Sequence, residues 1–371
     1  MTIHRLSGAV ALAACFAVTP ALARDLSMAP GFAPGSIVNQ GAESFANKVT
    51  ELTGGEITFT IHPLTLLSVP QMLNGVRDGV ADVGTILPMV FAAQFADVNL
   101  ISDLAMLGTY APAMAGATTE YILTCEPCLK EYEKNNVVYL GSGSTPEYGI
   151  QSTKPFTSAD DLRGSKLRSP NATFNRWIEH FGGVALTLPG NEIFEAVKQG
   201  VVDGALLSSG ELRNIRMIDI VKDVTVGVPG GTYNTINIAN VNRDLWHELT
   251  PEQRRAMIAA GAHAIAETTV GYMKDGAAAL EAARAQGIEV HEASPEFVAA
   301  SQEFVKQDLA KIASLAGDRG VEDAEAKIAR FSELVAKWQG LTEGVELSAE
   351  ALGELYRREI FEPLIGDDYA M

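Results

Sequence analysis

Basic residues are scarce in this chain. Lysine and arginine number 28 against 46 aspartates and glutamates, giving a net charge of −18. Phosphate backbones and anionic lipid surfaces attract clustered positive charge, so nucleic acid and direct membrane docking are excluded as partners. Cysteine is rarer still, three in 371 residues, and histidine occurs six times. His62, His180, His247, His263 and His291 are scattered, and no close pair has metal-ligand spacing. A zinc site at Cys125 or Cys128 would need further Cys or His nearby, and none is close. After the N-terminal segment no apolar run reaches the roughly 20 residues of a membrane span. There is no nucleophile elbow, phosphate loop or helical metal motif. Gly141-Ser142-Gly143 lacks the third glycine and following helix of a dinucleotide fingerprint. No catalytic residue, cofactor or metal is expected.

What is present begins with a leader. His4-Arg5 is basic, Leu6 to Val18 is apolar, and Ala21-Leu22-Ala23 is a small-x-small cleavage signal before Arg24. Residues 1–23 are therefore expected to be a signal peptide, and the protein periplasmic. A rival reading takes Leu12-Ala13-Ala14-Cys15 as a lipoprotein signal acylating Cys15. In an oxidising compartment the remaining pair, in TCEPCLKEY, is most simply a Cys125–Cys128 disulfide. The alternative is a redox-active pair of an exported thiol oxidoreductase, a motif that belongs after the first strand of its fold rather than far inside a chain.

With 47 % hydrophobic and 20 % charged residues the chain is globular, and its length suits one very large domain or two ordinary ones. The stretch from Gly164 to Gly204 alternates strand and helix. Lys166-Leu167-Arg168 reads as a strand, and Ser169-Pro170-Asn171 breaks it. Phe174, Trp177, Ile178 and Phe181 have helical spacing, Gly182-Gly183 stops that helix, and Val184 to Leu188 is a second strand. A further helix carries Ile193, Phe194 and Val197, and a third strand starts at Val201. Such alternation signals parallel strands under covering helices, with ligands at their carboxyl ends. Arg168 stands at one such end. A guanidinium there would fork onto a carboxylate, or it is an ordinary arginine paired with a nearby acid.

The pattern occurs twice. QMLNGVRDGVADVGTI from Gln71 aligns without a gap on EIFEAVKQGVVDGALL from Glu192, matching Gly79 to Gly200 and Asp82 to Asp203. Two α/β units suggest two lobes with a ligand cleft between them. Asp82 and Asp203 read either as paired carboxylates or as structural residues just after a helix. Phe91, after Pro88, is either a ligand-facing wall or core. Ala111 to Asn136 reads as helix interrupted at the cysteines. Asp219 to Val228 and Thr232 to Val241 have strand character and would cross back between lobes. Thr250-Pro251-Glu252-Gln253 is a capped helix start. Helical periodicity runs from there to about Gln286, long enough to span both lobes, and helices fill the remainder, the last ending before Pro363.

The segments FANKVTELTGGEITFTIHP, MLNGVRDGVADVG, LRGSKLRSP, EIFEAVKQGVVDG and LWHELTPEQRRAMIAAGAHA run from about Gly35 to Ala285. In order and spacing they resemble the DctP-like periplasmic solute-binding proteins of tripartite ATP-independent (TRAP) transporters. The resemblance implies a two-lobed α/β fold, each lobe a mixed sheet flanked by helices, and no catalysis. It implies closure around a small organic anion and delivery to membrane permease subunits. The family's carboxylate-clamping arginine, in a Lys-aliphatic-Arg-x-Pro segment, corresponds to Arg168. Where the family often has an asparagine past its Val-Asp-Gly segment, this chain has Leu206-Leu207-Ser208-Ser209. Where many members have a second arginine, Tyr148 stands near the place. These departures count against sialic acid and C4-dicarboxylates.

The expected ligand-binding set is Arg168, Asn171, Tyr148, Ser208, Ser209 and Asn234, with Phe91 and Phe174 as apolar walls. Lobe I is expected to hold residues 24–145 and about 232–260, and lobe II residues 146–231 and about 261–300. A helical extension would cover 301–371. The chain would act as a monomer or homodimer, and an ABC-type importer is the alternative setting.

Overall fold

The computed structural model describes residues 23–188, 190–366 and 368–371. The expected signal peptide and the alternative lipidation at Cys15 fall, apart from Ala23, outside them. The first half of the chain supplies β1 (Arg24–Ala29), α1 (Ile37–Leu52), β2 (Ile57–Ile61), α2 (Met72–Arg77), β3 (Val83–Ile86), α3 (Ala96–Asp103), α4 (Ala111–Leu123), α5 (Glu126–Lys134) and β4 (Val137–Tyr139). The second unit supplies β5 (Tyr148–Ser152), β6 (Lys166–Ser169), α6 (Ala172–His180), β7 (Val184–Thr187), α7 (Ile193–Lys198), β8 (Gly204–Ser208), α8 (Glu211–Asn214) and β9 (Asp223–Val226). The chain then returns through β10 (Asn237–Asn242) and α9 (Arg243–Glu248) to α10 (Pro251–Ala285). It ends with β11 (Glu289–Glu292), α11 (Pro295–Asp318), α12 (Ala324–Thr342) and α13 (Ala349–Tyr356).

These strands build two mixed sheets, in the orders β2-β1-β3-β10-β4 and β11-β9-β5-β8-β6-β7. Each sheet has a parallel trio and one strand antiparallel to both of its neighbours, and in the first sheet that strand returns after the second unit. β10 runs antiparallel to β3 and β4, and β5 antiparallel to β8 and β9. The two linking segments pair with each other. Gly143 N–H donates to Ile236 O at 2.9 Å, Thr145 N–H to Tyr233 O at 2.9 Å, and Tyr148 N–H to Gly231 O at 2.9 Å. The alternation over Thr232 to Val241 therefore serves two partners, and only Asn237–Asn242 joins a sheet. The strand expected over Asp219 to Val228 shrinks to Asp223–Val226, because Met217–Asp219 forms a helical turn.

The internal repeat has a structural counterpart. Asp82 Oδ2 accepts from Ser27 N–H at 2.7 Å, and Asp203 Oδ2 accepts from Lys166 N–H at 2.8 Å. In return Asp82 N–H donates to Ser27 O at 3.0 Å, and Asp203 N–H to Lys166 O at 2.7 Å. Each aspartate thus fastens the start of its strand, β3 or β8, to the neighbouring strand, as the structural reading required.

α10 is 35 residues long, about 50 Å at 1.5 Å per residue. Thr250 caps it, accepting from Gln253 N–H, with Pro251 in the first turn. Met257 and Ala264 join the core under the first sheet, while Ala279 and Ala283 join the core under the second. α11 also spans the lobes. Phe297 and Phe304 pack in lobe II, and Ile312 and Ala316 pack in lobe I. The last helix does not stop before Pro363. A wider helical turn over Arg357–Phe361 leads into Glu362–Leu364, so the helix carries Pro363 and ends one residue beyond it. Among the described residues no helix is long and apolar enough to cross a membrane.

Candidate ligand-binding site

Arg168 is the next-to-last residue of β6, between β7 and β8. The strand ends because Pro170 follows, and Asn171 starts α6 by accepting from Thr173 and Phe174 N–H at 3.0 and 3.2 Å. Arg168 is only 8 % exposed. Its Nε donates to Leu188 O at 3.1 Å and its Nη1 to Leu206 O at 3.4 Å. Those carbonyls orient the fork without neutralising it. Among the described residues no carboxylate forms an ion pair with it. Burial pulls its pKa down, because a charged guanidinium is poorly solvated there, while Tyr148 and Glu211 act the other way.

Aromatic groups and acids surround this cation. Tyr148, at the first position of β5, stacks on Phe174 with ring centroids 5.2 Å apart and an interplanar angle of 29°. Burial pushes the Tyr148 phenol up to about 12, opposed by Arg168. Burial lifts Glu211, at the start of α8, to about 7, with Asn214 and Arg168 pulling it down and Asp275 pushing it up. Tyr272 on α10 is raised by burial and by Glu211, Tyr148, Tyr233 and Asp275. Tyr233 lies in the returning segment and packs against the cores of both lobes, and burial raises its phenol while Thr235 pulls it down. The lobes also touch beside the site, where Thr173 Oγ1 donates to Asp103 O at 3.0 Å and Thr232 N–H donates to Ala105 O at 3.0 Å.

The residues expected from the sequence separate into groups. Arg168, Tyr148 and Phe174 come together. Ser208 pairs in register with Tyr148, and its carbonyl accepts from Gln151 Nε2 at 2.9 Å. Ser209 lines an adjoining cavity of about 270 Å³, between the second sheet and α10, with Glu147, Gln151, Leu207 and Met273. The Asn171 carbonyl oxygen is engaged in capping. Asn234 turns into lobe I, donating from Nδ2 to Thr118 Oγ1 at 2.8 Å, with its Oδ1 buried and unpartnered. Phe91 is 7 % exposed within the lobe I core, which fits its plainer reading. Glu211, Tyr233, Tyr272 and Asp275 escaped the sequence reading. Tyr233 adjoins Asn234 and Glu211 follows Ser209, so proximity could have found both. Tyr272 and Asp275 carry only helical spacing.

Cys125 and Cys128 are joined in a disulfide with S–S 2.05 Å. The pair sits where α4 turns into α5, 7 % and 0 % exposed, inside the lobe I core. The expected Cys125–Cys128 disulfide is thus present, and its two cysteines are buried.

Two mixed sheets, paired crossing segments and a buried guanidinium at a strand end are the features that the comparisons with known proteins can be set beside. Residues 28–315 match the model of the DctP family, bacterial extracellular solute-binding protein family 7, and the chain belongs to that family. A solute-binding protein of Albidiferax ferrireducens is 23 % identical over 238 residues, covering 62 % of this chain and 69 % of that one. Among solved structures, a TRAP solute-binding protein from Rhodoferax ferrireducens in complex with copurified benzoate superimposes with a TM-score of 0.75 at 21 % identity. That match covers 86 % of this chain and 99 % of the other. A marine metagenome TRAP protein specific for aromatic acids, in complex with metahydroxyphenylacetate, also gives 0.75, at 22 % identity, covering 85 % and 99 %. At such identities these structures speak for the fold. The family and fold are those of solute-binding proteins rather than enzymes.

Proposed function

We propose that this protein captures a small organic carboxylate between its lobes in the periplasm and delivers it to a TRAP-type membrane permease. The observation that supports the reading is Arg168, buried and oriented by two carbonyls, with no ion-paired carboxylate among the described residues. A ligand carboxylate would supply the missing charge and receive two parallel hydrogen bonds. Tyr148 and Phe174 form an aromatic floor beside it, and Ser208, Ser209, Asn171 and Asn234 are secondary polar candidates. Benzoate and metahydroxyphenylacetate in the similar structures are carboxylates with flat apolar bodies, which suits that floor. Closure would follow from contacts made only in the closed state.

A thermal-shift screen of the purified protein tests this reading. The panel holds aliphatic and aromatic monocarboxylates, dicarboxylates, 2-oxo acids, sugar acids and amino acids, each beside its uncharged amide. A ligand at 100 times its Kd stabilises the folded state by about 2.7 kcal/mol. The expected result is a rise of several degrees with one acid class and none with the amides. Equal shifts with acids and amides would overturn the carboxylate assignment.

A further inference from the structure

A second buried guanidinium lies at the lobe I end of α10. Arg254 is in the first turn of that helix and is 8 % exposed. Its Nη1 donates to Leu249 O at 2.7 Å, and its Nε is buried without a hydrogen-bond partner. Among the described residues no carboxylate pairs with it. An unmet donor on a buried cation is destabilising, and so is a cation near the positive end of a helix. An anion bound beside Arg254 would relieve both.

Arg254 lines a cavity of about 640 Å³ between the start of α10 and the C-terminal segment. Pockets for small molecules span about 300–1,000 Å³. Trp246, Ile258, Phe361, Ile365 and Tyr369 give the cavity aromatic and aliphatic walls. Arg255 and Arg357 also line it. Glu252 holds Arg255 at 2.7 Å, and Arg357 is held by Glu354 at 2.6 Å and by Glu362, itself at the cavity. Three arginines around one cavity stand out in a chain of net charge −18. The cavity is also remote from the candidate cleft. Met273, which lines the cavity next to Tyr148, comes about five turns later on α10, roughly 28 Å at 1.5 Å per residue.

We infer that this cavity is a second binding site, for a small organic anion with a flat apolar body. Arg254 holds the anionic group, and Trp246, Phe361 and Tyr369 take the body. Carboxylate and phosphate both offer the paired acceptors that a guanidinium forks onto, and a sulfonate offers the same oxygens. The site uses none of the residues assigned to the cleft and does not depend on that reading.

The test is calorimetric titration of the Arg168→Ala protein, which lacks the cleft anchor. The probes are benzoate, benzenesulfonate and phenyl phosphate, with benzamide as the uncharged control. At least one of these anions is expected to bind once per chain, at least tenfold more tightly than benzamide. Adding Arg254→Gln should weaken that anion at least tenfold. Adding Ala259→Glu instead, which puts a carboxylate at the cavity wall and keeps Arg254, should do the same. Arg254→Gln alone should bind the acid found in the thermal-shift screen as wild type does. If none of the three anions binds Arg168→Ala, this inference is overturned and the carboxylate reading of the cleft is untouched. Undiminished anion binding in both folded double variants would also overturn it, because the anion would then sit elsewhere. Loss of the screened acid in Arg254→Gln alone would overturn the separateness of the two sites.

Discussion

Burial with only carbonyl partners is a condition that Arg168 shares with Arg254, which donates to Leu249 O at the start of α10, and not with the arginines held by acids. Arg176, for example, is also largely buried but holds Asp308 at 2.6 and 2.7 Å. The same physics acts on acids. Burial lifts Glu131, Glu147 and Glu211 to about 7 from an ordinary 4.5, and at Glu147 the like charge of Glu292 adds to it. These folded-state values lie above the unfolded ones, so the folded protein binds more protons between about pH 4.5 and 7. Stability contributed by the neutral acids is present below that window and is lost as pH rises through it. The melting temperature should therefore be higher at pH 5.5 than at pH 8. Glu147→Gln removes one such group. It should gain about 1–2 kcal/mol at pH 8 and narrow the difference between the two pH values. Melts of both proteins in matched buffers check this, and an unchanged difference would contradict it. Arg168 itself was legible in the sequence, since a strand-ending arginine before Pro170 needs only local pattern. Glu211 and Tyr272 were not, because their meaning depends on α8 and α10 being folded against β6.

At the scale of elements, α11 joins what the sheets keep apart. Trp177 Nε1 donates to Ser301 Oγ at 2.8 Å, and Ser301 Oγ donates on to Pro229 O at 2.9 Å in the returning segment. The preceding residue of α6, Arg176, forks onto Asp308, about two turns beyond Ser301 on α11. Asp308→Ala would leave that guanidinium buried and unpaired, an expected loss of about 3 kcal/mol read by urea denaturation. A loss below about 1 kcal/mol would mean that the pair is solvated in solution. α10 needs a close approach at Gly261, where a Cβ would stand 2.7 Å from the Leu140 carbonyl oxygen. The helices were readable because their starts are chemically marked: Thr250-Pro251 caps α10 as expected, and Ser294-Pro295 caps α11 in the same way. The strands were harder. β11, Glu289–Glu292, is a charged edge strand whose side chains show no apolar alternation, and only its pairing with β9 defines it.

At the scale of the molecule, the two lobes share two crossing segments, α10 and α11, and the candidate site draws on the crossing segments and on α10. The repeat made the two lobes legible, since Gly79 and Gly200 end equivalent helices and Asp82 and Asp203 fasten equivalent strands. The mixed character of the sheets was not readable from the repeat itself, because the antiparallel strands β5 and β10 both lie outside the repeated segments. Most of the site walls come from such exchanges: Tyr148 from one crossing, Tyr233 from the other, Tyr272 from the shared helix. No local sequence pattern marks such convergence.

The central claim is that Arg168 anchors a carboxylate. Titration calorimetry of the best acid from the screen tests it most directly, run on wild type, Arg168→Lys and Arg168→Ala. The expected result is a loss of at least 100-fold in affinity for Arg168→Ala. Arg168→Lys should be intermediate, since a point charge keeps attraction but loses the bidentate fork. The acid's neutral amide should bind wild type and Arg168→Ala alike. Undiminished binding of the acid by a folded Arg168→Ala protein would contradict the account.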